Sequence, residues 1–520
     1  MESVIPATTG EQATGSDTSA TAPNSDSQRV LSNSLVVLVR QLFLWGLNSI
    51  LVLFLPRYLG AEGMGQLSFM LSFTALVAVG ITLGFGKFIT KAVARDTSMA
   101  EQYFGAAMAL RVLLTILGVA VTVVIVEVVG YEPDLKTVLY VGTASMIAAS
   151  FAKSAIGFLW GFEDMKSPAR AEISAKTLGV AAGIPVLILT SSVIAYVTVL
   201  LVANLLQFAL ASYYLQKRVK LRITFNVATM RTIVAGGIPF LMMVVILEMY
   251  ANADVIILRA YTTDAVTGWY GAALQFYQSA QLFPLAITTA LLPTLSRLHK
   301  KDVTVLAGIA RKSISINAAV VVPASLALSL LSQQIIDILP YPAEFDNSVL
   351  TLSLLALTIP ITAFLSMLGT IAISVDKQKA MAWALAGTLL LDIALNMITI
   401  PYFQDRYGNG GIGAGITTLL AEVVMVIIAV KLMPAELFDR ATRIMVGKIL
   451  VAAAVLTGIG LLSYPLGVNP IFTVVAGCAV YVGLIFAMKI YTVKEVKTLL
   501  YTVMGRRRAA ELDSEMGVQK

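Results

Sequence analysis

Apolar residues run along this chain in blocks of about 19 or more, separated by short clusters of charge, Gly and Pro. Blocks of that length suit a hydrocarbon layer ~30 Å thick, crossed by a helix rising ~1.5 Å per residue. About fourteen such spans are legible. They begin near Ser32, Gly65, Phe104, Lys136, Ser174, Ile194 and Ile233, then near Gly268, Ser313, Leu350, Ala380, Gly411, Gly447 and Ile471. They fill most of the chain from Leu31 to Lys489 and predict an all-α polytopic membrane protein.

Composition agrees with that pattern. The chain is 58% hydrophobic and 13% charged, with a mean hydropathy of +0.84, against roughly 25% charged residues in soluble domains. Residues 1–28 are rich in Ser, Thr, Gly, Ala and acidic side chains and read as a disordered cytoplasmic tail. That segment lacks the basic start, apolar middle and cleavage site of a signal peptide, so the first span is expected to stay as an anchor. Residues 491–520 form a basic tail with Lys494, Lys497, Arg506, Arg507 and Arg508, suited to an anionic leaflet.

Charge placement predicts orientation. Alternate gaps hold Lys87, Lys91 and Arg95; Lys166, Arg170 and Lys176; Lys217, Arg218, Lys220, Arg222 and Arg231. Further along the same set come Arg297, Lys300, Lys301, Arg311 and Lys312; Lys377 and Lys379; Lys431, Arg440, Arg443 and Lys448. The other set holds only Arg57, Lys136, Arg259 and Arg406. The positive-inside rule then puts both termini in the cytoplasm of a multi-pass protein of the cell membrane. The net charge of +7 is thereby a topology signal, and its scatter over short loops gives no nucleic-acid surface.

Several chemistries are excluded or left without residues. No loop is long enough to fold as a soluble catalytic domain, so an enzyme is not expected. The chain has 1 Cys and 1 His: Cys478 in the last span cannot form an intramolecular disulfide, and His299 has no metal-ligand cluster around it. There is no GxxxxGK[ST] phosphate loop, and no cofactor or metal is expected. The run Gly408, Gly410, Gly411, Gly413 and Gly415 opens a membrane helix and reads as close packing rather than a nucleotide site. Gly84 with Gly86, and Gly236 and Gly237 before Pro239, read as packing or bending positions in the second and seventh spans.

An internal echo suggests duplication. LPRYLGAEGMGQLSF at 55–69 and ILRAYTTDAVTGWYGAA at 257–273 each carry an apolar run, an Arg (Arg57, Arg259), a Tyr, an acidic turn and then Gly, Gly65 matching Gly268. Six spans separate the copies, so both have the same orientation, and parallel repeats of this kind place a substrate site between two halves.

These segments, together with ADVIILRAYTTDAVTGWYGAALQFYQSAQLFPLAITTALLPTLSRL at 253–298, LPYPAEFDNSVLTLSLLAL at 339–357 and LDIALNMITIPYFQDRYGNGGIGAGITTLLAEVV at 391–424, carry a family likeness. The chain resembles the polysaccharide transporter branch of the multidrug/oligosaccharidyl-lipid/polysaccharide exporter superfamily, the Wzx-like flippases of lipid-linked glycans. The resemblance implies two six-helix lobes around a central cavity, residues 29–231 and 232–445, then two additional helices in 446–490. It also implies alternating access without ATP hydrolysis. The cargo would be a polyprenyl- or dolichyl-(di)phosphate-linked sugar moving to the outer leaflet for surface polysaccharide or glycoprotein glycan synthesis. Its partners would be membrane lipids and the glycosyltransferases, polymerase or oligosaccharyltransferase of that pathway. A cation-coupled multidrug or small-molecule exporter of the same superfamily is the alternative. A membrane-embedded glycosyltransferase would need a large outer loop with catalytic residues, which the sequence does not offer.

Such a cargo needs cations and hydrogen-bonding groups inside the membrane. Arg40, deep in the first span, reads either as a phosphate ligand or as a snorkelling or salt-bridged structural residue; Gln41 and Asn48 accompany it, Asn48 on roughly the same face. The seventh span offers Glu248, Asn252, Asp254 and Arg259. The eighth offers Gln275, Gln278 and Gln281, which suit sugar hydroxyls or interhelical bonding, and Pro284 as a kink. Arg57 and Arg259 sit near outer ends as phosphate-attracting or interface-anchoring groups. Arg111 and Lys153 are expected to snorkel. Asp392, one turn before Asn396, and Glu422 are the candidate coupling carboxylates, with pairing to an arginine as the alternative.

Overall fold

The computed structural model describes residues 23–281, 303–463 and 466–490, and these are helical almost throughout. In chain order the helices are α1 (Pro23–Thr82), α2 (Phe85–Arg95), α3 (Ala100–Val129), α4 (Pro133–Gly161), α5 (Lys166–Thr190), α6 (Val193–Leu215), α7 (Val227–Tyr261) and α8 (Asp264–Ala280). Then follow α9 (Val303–Leu330), α10 (Ser332–Ile338), α11 (Val349–Ser374), α12 (Gln378–Tyr407), α13 (Gly410–Leu432), α14 (Arg440–Ser463) and α15 (Pro470–Ala487). Short 3-10 turns occupy Thr97–Met99, Ala343–Ser348 and Ala435–Phe438.

Among the described residues 11 helices are long and apolar enough to cross a membrane, or 12 if the pair bent by 65° at α9 and α10 is one span. The expected fourteen exceeds this for two reasons. The first two expected spans are joined in α1, and the eighth begins as α8 but continues into residues outside the described ones. The basic loop with Arg297, His299, Lys300 and Lys301, the expected kink at Pro284 and the tail 491–520 also lie outside the described residues. At the N-terminal end α1 begins at Pro23, and the earlier part of the expected tail lies outside the described residues.

α1 is broken at Gly60, whose φ of 65° and ψ of −177° interrupt the helix four residues after Pro56. A positive φ suits glycine, which has no Cβ to clash. The break frees the backbone amide of Ala61, which donates to Glu344 Oε1 at 2.8 Å. Glu344 thus caps the start of the second half of α1 with negative charge, where a helix end is electropositive.

A second break at Leu83 and Gly84, both at positive φ, turns the chain into α2. Phe85, Ile89 and Val93 recur at four-residue steps and bury one face of α2, leaving Lys87 and Lys91 exposed. α7 packs against this corner: Gly237 lies against Phe85 and Leu83, and Gly236 against Phe88. About 19 residues earlier, roughly 28 Å along the helix, the second half of α1 crosses α8 so closely that Gly65 and Gly268 leave no room for a side chain. Glycine therefore mediates contact between the first and second halves of the chain at both ends of one span.

The largest cluster of buried apolar side chains surrounds the α1–α8 crossing and takes in Leu67, Phe69 and Met70 with Leu258, Tyr270, Phe345 and Leu355. Separate clusters lie around α2 and α4, with Phe85, Phe104 and Phe158, and around α14 and α15, with Leu456 and Tyr481. Many large apolar side chains elsewhere point outward, Leu117, Val128, Leu189 and Leu390 among them, as the surface of a lipid-embedded bundle requires.

Candidate functional site

Two polar sites lie inside the apolar bundle. The first is built by α1, α4, α5 and α6. Arg40 Nη1 of α1 donates to Glu172 Oε2 of α5 at 2.5 Å, and both side chains keep 16–17% of their surface. Arg40 Nε is buried without a partner. Glu172 lines a cavity of about 310 Å³ together with Lys153 of α4, Lys176 one turn further along α5, and Asn204 and Gln207 of α6. Lys153 lies within electrostatic reach of Glu172. Neither lysine forms an ion pair among the described residues. Two lysines therefore line a cavity whose one lining carboxylate is held by Arg40.

The salt-bridged alternative for Arg40 is thus realised, and its partner is a residue that the sequence analysis passed over. Glu172 and Lys176 stand at i and i+4 in a helix that is otherwise apolar, a signal that could have found them. Lys153, expected to snorkel, is exposed and lines this cavity. Arg111, expected to do the same, is only 3% exposed and donates to the Ser150 carbonyl at 2.7 Å, so it braces α3 against α4. Gln41 is half-buried and Asn48 exposed, and neither joins this cluster.

The second site lies between α7, α8, α11, α12 and α13. Asp254 of α7 is its centre: Tyr270 OH donates to Oδ2 at 2.8 Å, Thr418 Oγ1 to Oδ2 at 3.1 Å, and Asn396 Nδ2 to Oδ1 at 2.8 Å. Asn396 also donates to Asp392 Oδ2 at 3.2 Å. Nearby, Thr362 Oγ1 donates to Glu422 Oε1 at 2.5 Å and bonds the Tyr277 hydroxyl at 3.2 Å. Asp392 and Glu422 are each 2% exposed and Asp254 is 9% exposed. No ion pair reaches any of the three among the described residues. The arginine-paired alternative for Asp392 and Glu422 is not what the structure has. Among the described residues no group of three His, Cys, Asp or Glu is placed to hold a metal ion.

The remaining candidates stand apart. Glu248 and Asn252 bond each other along α7, Asn252 Nδ2 reaching the Glu248 carbonyl at 2.9 Å. Arg259 is ion-paired to Asp264 at the start of α8, and Arg57 is exposed with only the adjacent Tyr58 ring beneath it, 5.4 Å from its centroid. Gln275 has a buried Oε1 with no partner among the described residues and Gln278 is exposed, whereas Gln281, at the end of α8, bonds the Tyr277 side chain of the second site.

With this geometry in view, comparison with known proteins fixes the family. The family model described as "Polysaccharide biosynthesis protein" matches residues 30–299, about half of the chain. The chain belongs to the polysaccharide biosynthesis protein family. A second model, MatE, matches residues 239–398 of this family member. No curated protein sequence matches the chain. Among solved structures, the lipid II flippase MurJ in an inward closed conformation aligns over 87% of this chain and 98% of its own, with a TM-score of 0.69 and 15% identity. A multidrug resistance MATE family transporter of the MOP superfamily, in its inward-facing conformation, aligns over 76% of this chain and 95% of its own, with a TM-score of 0.60 and 15% identity. A MATE transporter of Vibrio cholerae gives a TM-score of 0.51 over 79% of this chain and 98% of its own, also at 15% identity. At such identities the likeness establishes a shared fold. This family member is a multi-pass membrane protein that shares the fold of these transporters.

Proposed function

We propose that the protein is a flippase that carries a polyprenyl- or dolichyl-(di)phosphate-linked sugar or oligosaccharide from the cytoplasmic to the outer leaflet by alternating access. The observation that carries this reading is the excess of cations at the first-half cavity, where Lys153 and Lys176 line the wall and the one lining carboxylate, Glu172, is already paired to Arg40. A charged group buried in the bilayer is costly unless it meets an opposite charge, and a phosphate head group supplies that charge with oxygens shaped for guanidinium and ammonium donors. Asn204 and Gln207 add side chains able to bond sugar hydroxyls. The lipid tail stays in the bilayer, so the first half of the chain handles the head group alone. Family membership and the likeness of fold to a lipid II flippase support the same cargo class.

The buried carboxylates of the second half fit a coupling role. Asp254, Asp392 and Glu422 are buried with no ion pair among the described residues, and uncompensated buried charge costs several kcal/mol. A proton or small monovalent cation entering with the transport cycle would offset that cost and bias the two halves toward one arrangement. The same cluster, with the MatE match, favours a second reading as a cation-coupled exporter of small molecules. The cationic first-half cavity weighs against it for cationic drugs, which Lys153 and Lys176 would repel.

Deletion of the gene followed by glycolipid analysis separates the two. A flippase leaves a completed lipid-linked glycan accumulating on the cytoplasmic face. An exporter of small molecules leaves that pool unchanged.

A further inference from the structure

We propose that Glu172 is a resident stand-in for the substrate's phosphate, holding Arg40 between transport cycles and competing with cargo for it. The proposal rests on the flippase reading and adds a residue that sets how tightly cargo is held and how readily it leaves.

Three observations carry it. The Arg40–Glu172 bond engages a single guanidinium nitrogen at 2.5 Å, while Arg40 Nε is buried and unused. A guanidinium offers a planar fork of donors suited to bidentate phosphate binding, which this contact leaves unfilled. Both side chains retain surface, and Glu172 lines the cavity with Arg40 directly behind it, so an entering anion reaches Arg40 by taking the place of Glu172. Lys153 and Lys176 stand beside it without ion-pair partners among the described residues.

The exchange follows from these positions. An incoming phosphate first meets the two free ammonium groups, whose attraction is strong in this low-dielectric setting. It then displaces Glu172 and takes Arg40, engaging guanidinium donors that Glu172 leaves unused. The displaced carboxylate is not stranded, because Lys176 lies one turn away on the same helix face and Lys153 is close by. When the cargo moves on, Glu172 recaptures Arg40. Net charge around the cavity stays nearer zero in both conditions than it would with the carboxylate absent.

The test measures binding of farnesyl diphosphate, with farnesol as the phosphate-free control, to the purified full chain by titration calorimetry at neutral pH. Glu172→Gln is expected to tighten farnesyl diphosphate binding about tenfold, roughly 1.4 kcal/mol of competition removed, with farnesol binding unmoved. Export by cells carrying this variant should slow, since release loses its competitor. Glu172→Gln combined with Arg40→Gln should bind no more tightly than Arg40→Gln alone, because Glu172 acts through Arg40. Glu172→Asp, one methylene shorter, should give a smaller gain and serves if the glutamine variant does not fold. Lys176→Gln should weaken diphosphate binding without touching farnesol. Unchanged or weaker diphosphate binding in both Glu172 variants overturns the stand-in role while leaving the flippase reading intact. A wild-type protein that fails to prefer farnesyl diphosphate over farnesol overturns both.

Discussion

Gly65 and Gly268 occupy equivalent places on each other's helix. A Cβ on Gly65 would lie 1.8 Å from the carbonyl oxygen of Asp264, and one on Gly268 would lie 1.9 Å from that of Ala61. Each carbonyl belongs to the residue four positions before the partner glycine, so the crossing of α1 and α8 is reciprocal. The sequence echo between residues 55–69 and 257–273 is therefore a physical two-fold contact, and it joins the two halves at one end of the bundle.

That contact makes Gly65→Ala a wedge. Two backbones cannot yield as a flexible side chain would, and overpacking of this kind costs ~1–3 kcal/mol. In a background with Cys478 replaced, a cysteine at position 68, buried beside Gly271, should label several-fold faster with a maleimide when Gly65→Ala is added. Export should fall in parallel. Unchanged labelling with normal export would mean that the crossing is looser than its geometry.

The carboxylate cluster should separate transport from its driving force. Asp254→Asn keeps the hydrogen-bonding shape around Tyr270, Thr418 and Asn396 but removes the charge. Export by this variant is expected to lose its response to imposed proton and sodium gradients while membrane abundance stays near wild type. Asp392→Asn should behave alike. A variant that keeps its gradient response excludes the cluster from coupling.

Arg57 and Arg259, related by the internal repeat, should differ in effect. Arg57 is exposed over Tyr58, so Arg57→Gln is expected to change stability by less than ~0.5 kcal/mol and to leave export unchanged. Arg259→Gln breaks a part-buried pair with Asp264 and should cost ~1–3 kcal/mol, read as a lower melting temperature in detergent. Loss of export in Arg57→Gln at full abundance would restore it to the substrate path.

Orientation is open to a direct check. Reporter fusions after Lys220 should register cytoplasm, and those near Asp134 and Thr263 the outside, as the distribution of loop charge requires. A consistent inversion would place the cationic cavity toward the opposite leaflet.

The fold was largely legible because its main driving force, a long apolar run with polar breaks, is written locally. Of the two breaks that matter, the one at Leu83–Gly84 falls on a glycine read as a packing or bending position, whereas the one at Gly60 went unmarked, since a glycine within an apolar run does not announce whether it will bend. The second-half site was half visible, since Asp392, Asn396 and Glu422 are conspicuous charges and amides in apolar spans. Their organisation around Asp254 by Tyr270 and Thr418 depends on four helices meeting, which no local pattern encodes. Glu172 was missed for a similar reason. It follows Lys166 and Arg170 and reads as part of a basic loop, whereas α5 begins at Lys166 and carries it inward. Gln275 and Gln278 of α8 differ in exposure, half-buried and exposed, which their even spacing in the sequence does not show.

Arg40→Gln alone leaves Glu172 without its ion pair, so lowered abundance would not by itself speak to transport. The cleaner comparison is Lys176→Gln, which removes a cation that holds no ion pair among the described residues. The deciding measurement reconstitutes the purified protein in lipid vesicles with a polyprenyl-diphosphate-linked sugar in one leaflet, and follows the sugar's appearance in the other with an impermeant lectin. Wild-type vesicles should equilibrate the two leaflets, with Lys176→Gln at least tenfold slower, a loss of roughly 1.4 kcal/mol of head-group stabilisation. No movement above protein-free vesicles, or equal rates for both proteins, would contradict a flippase that grips its cargo by the phosphate.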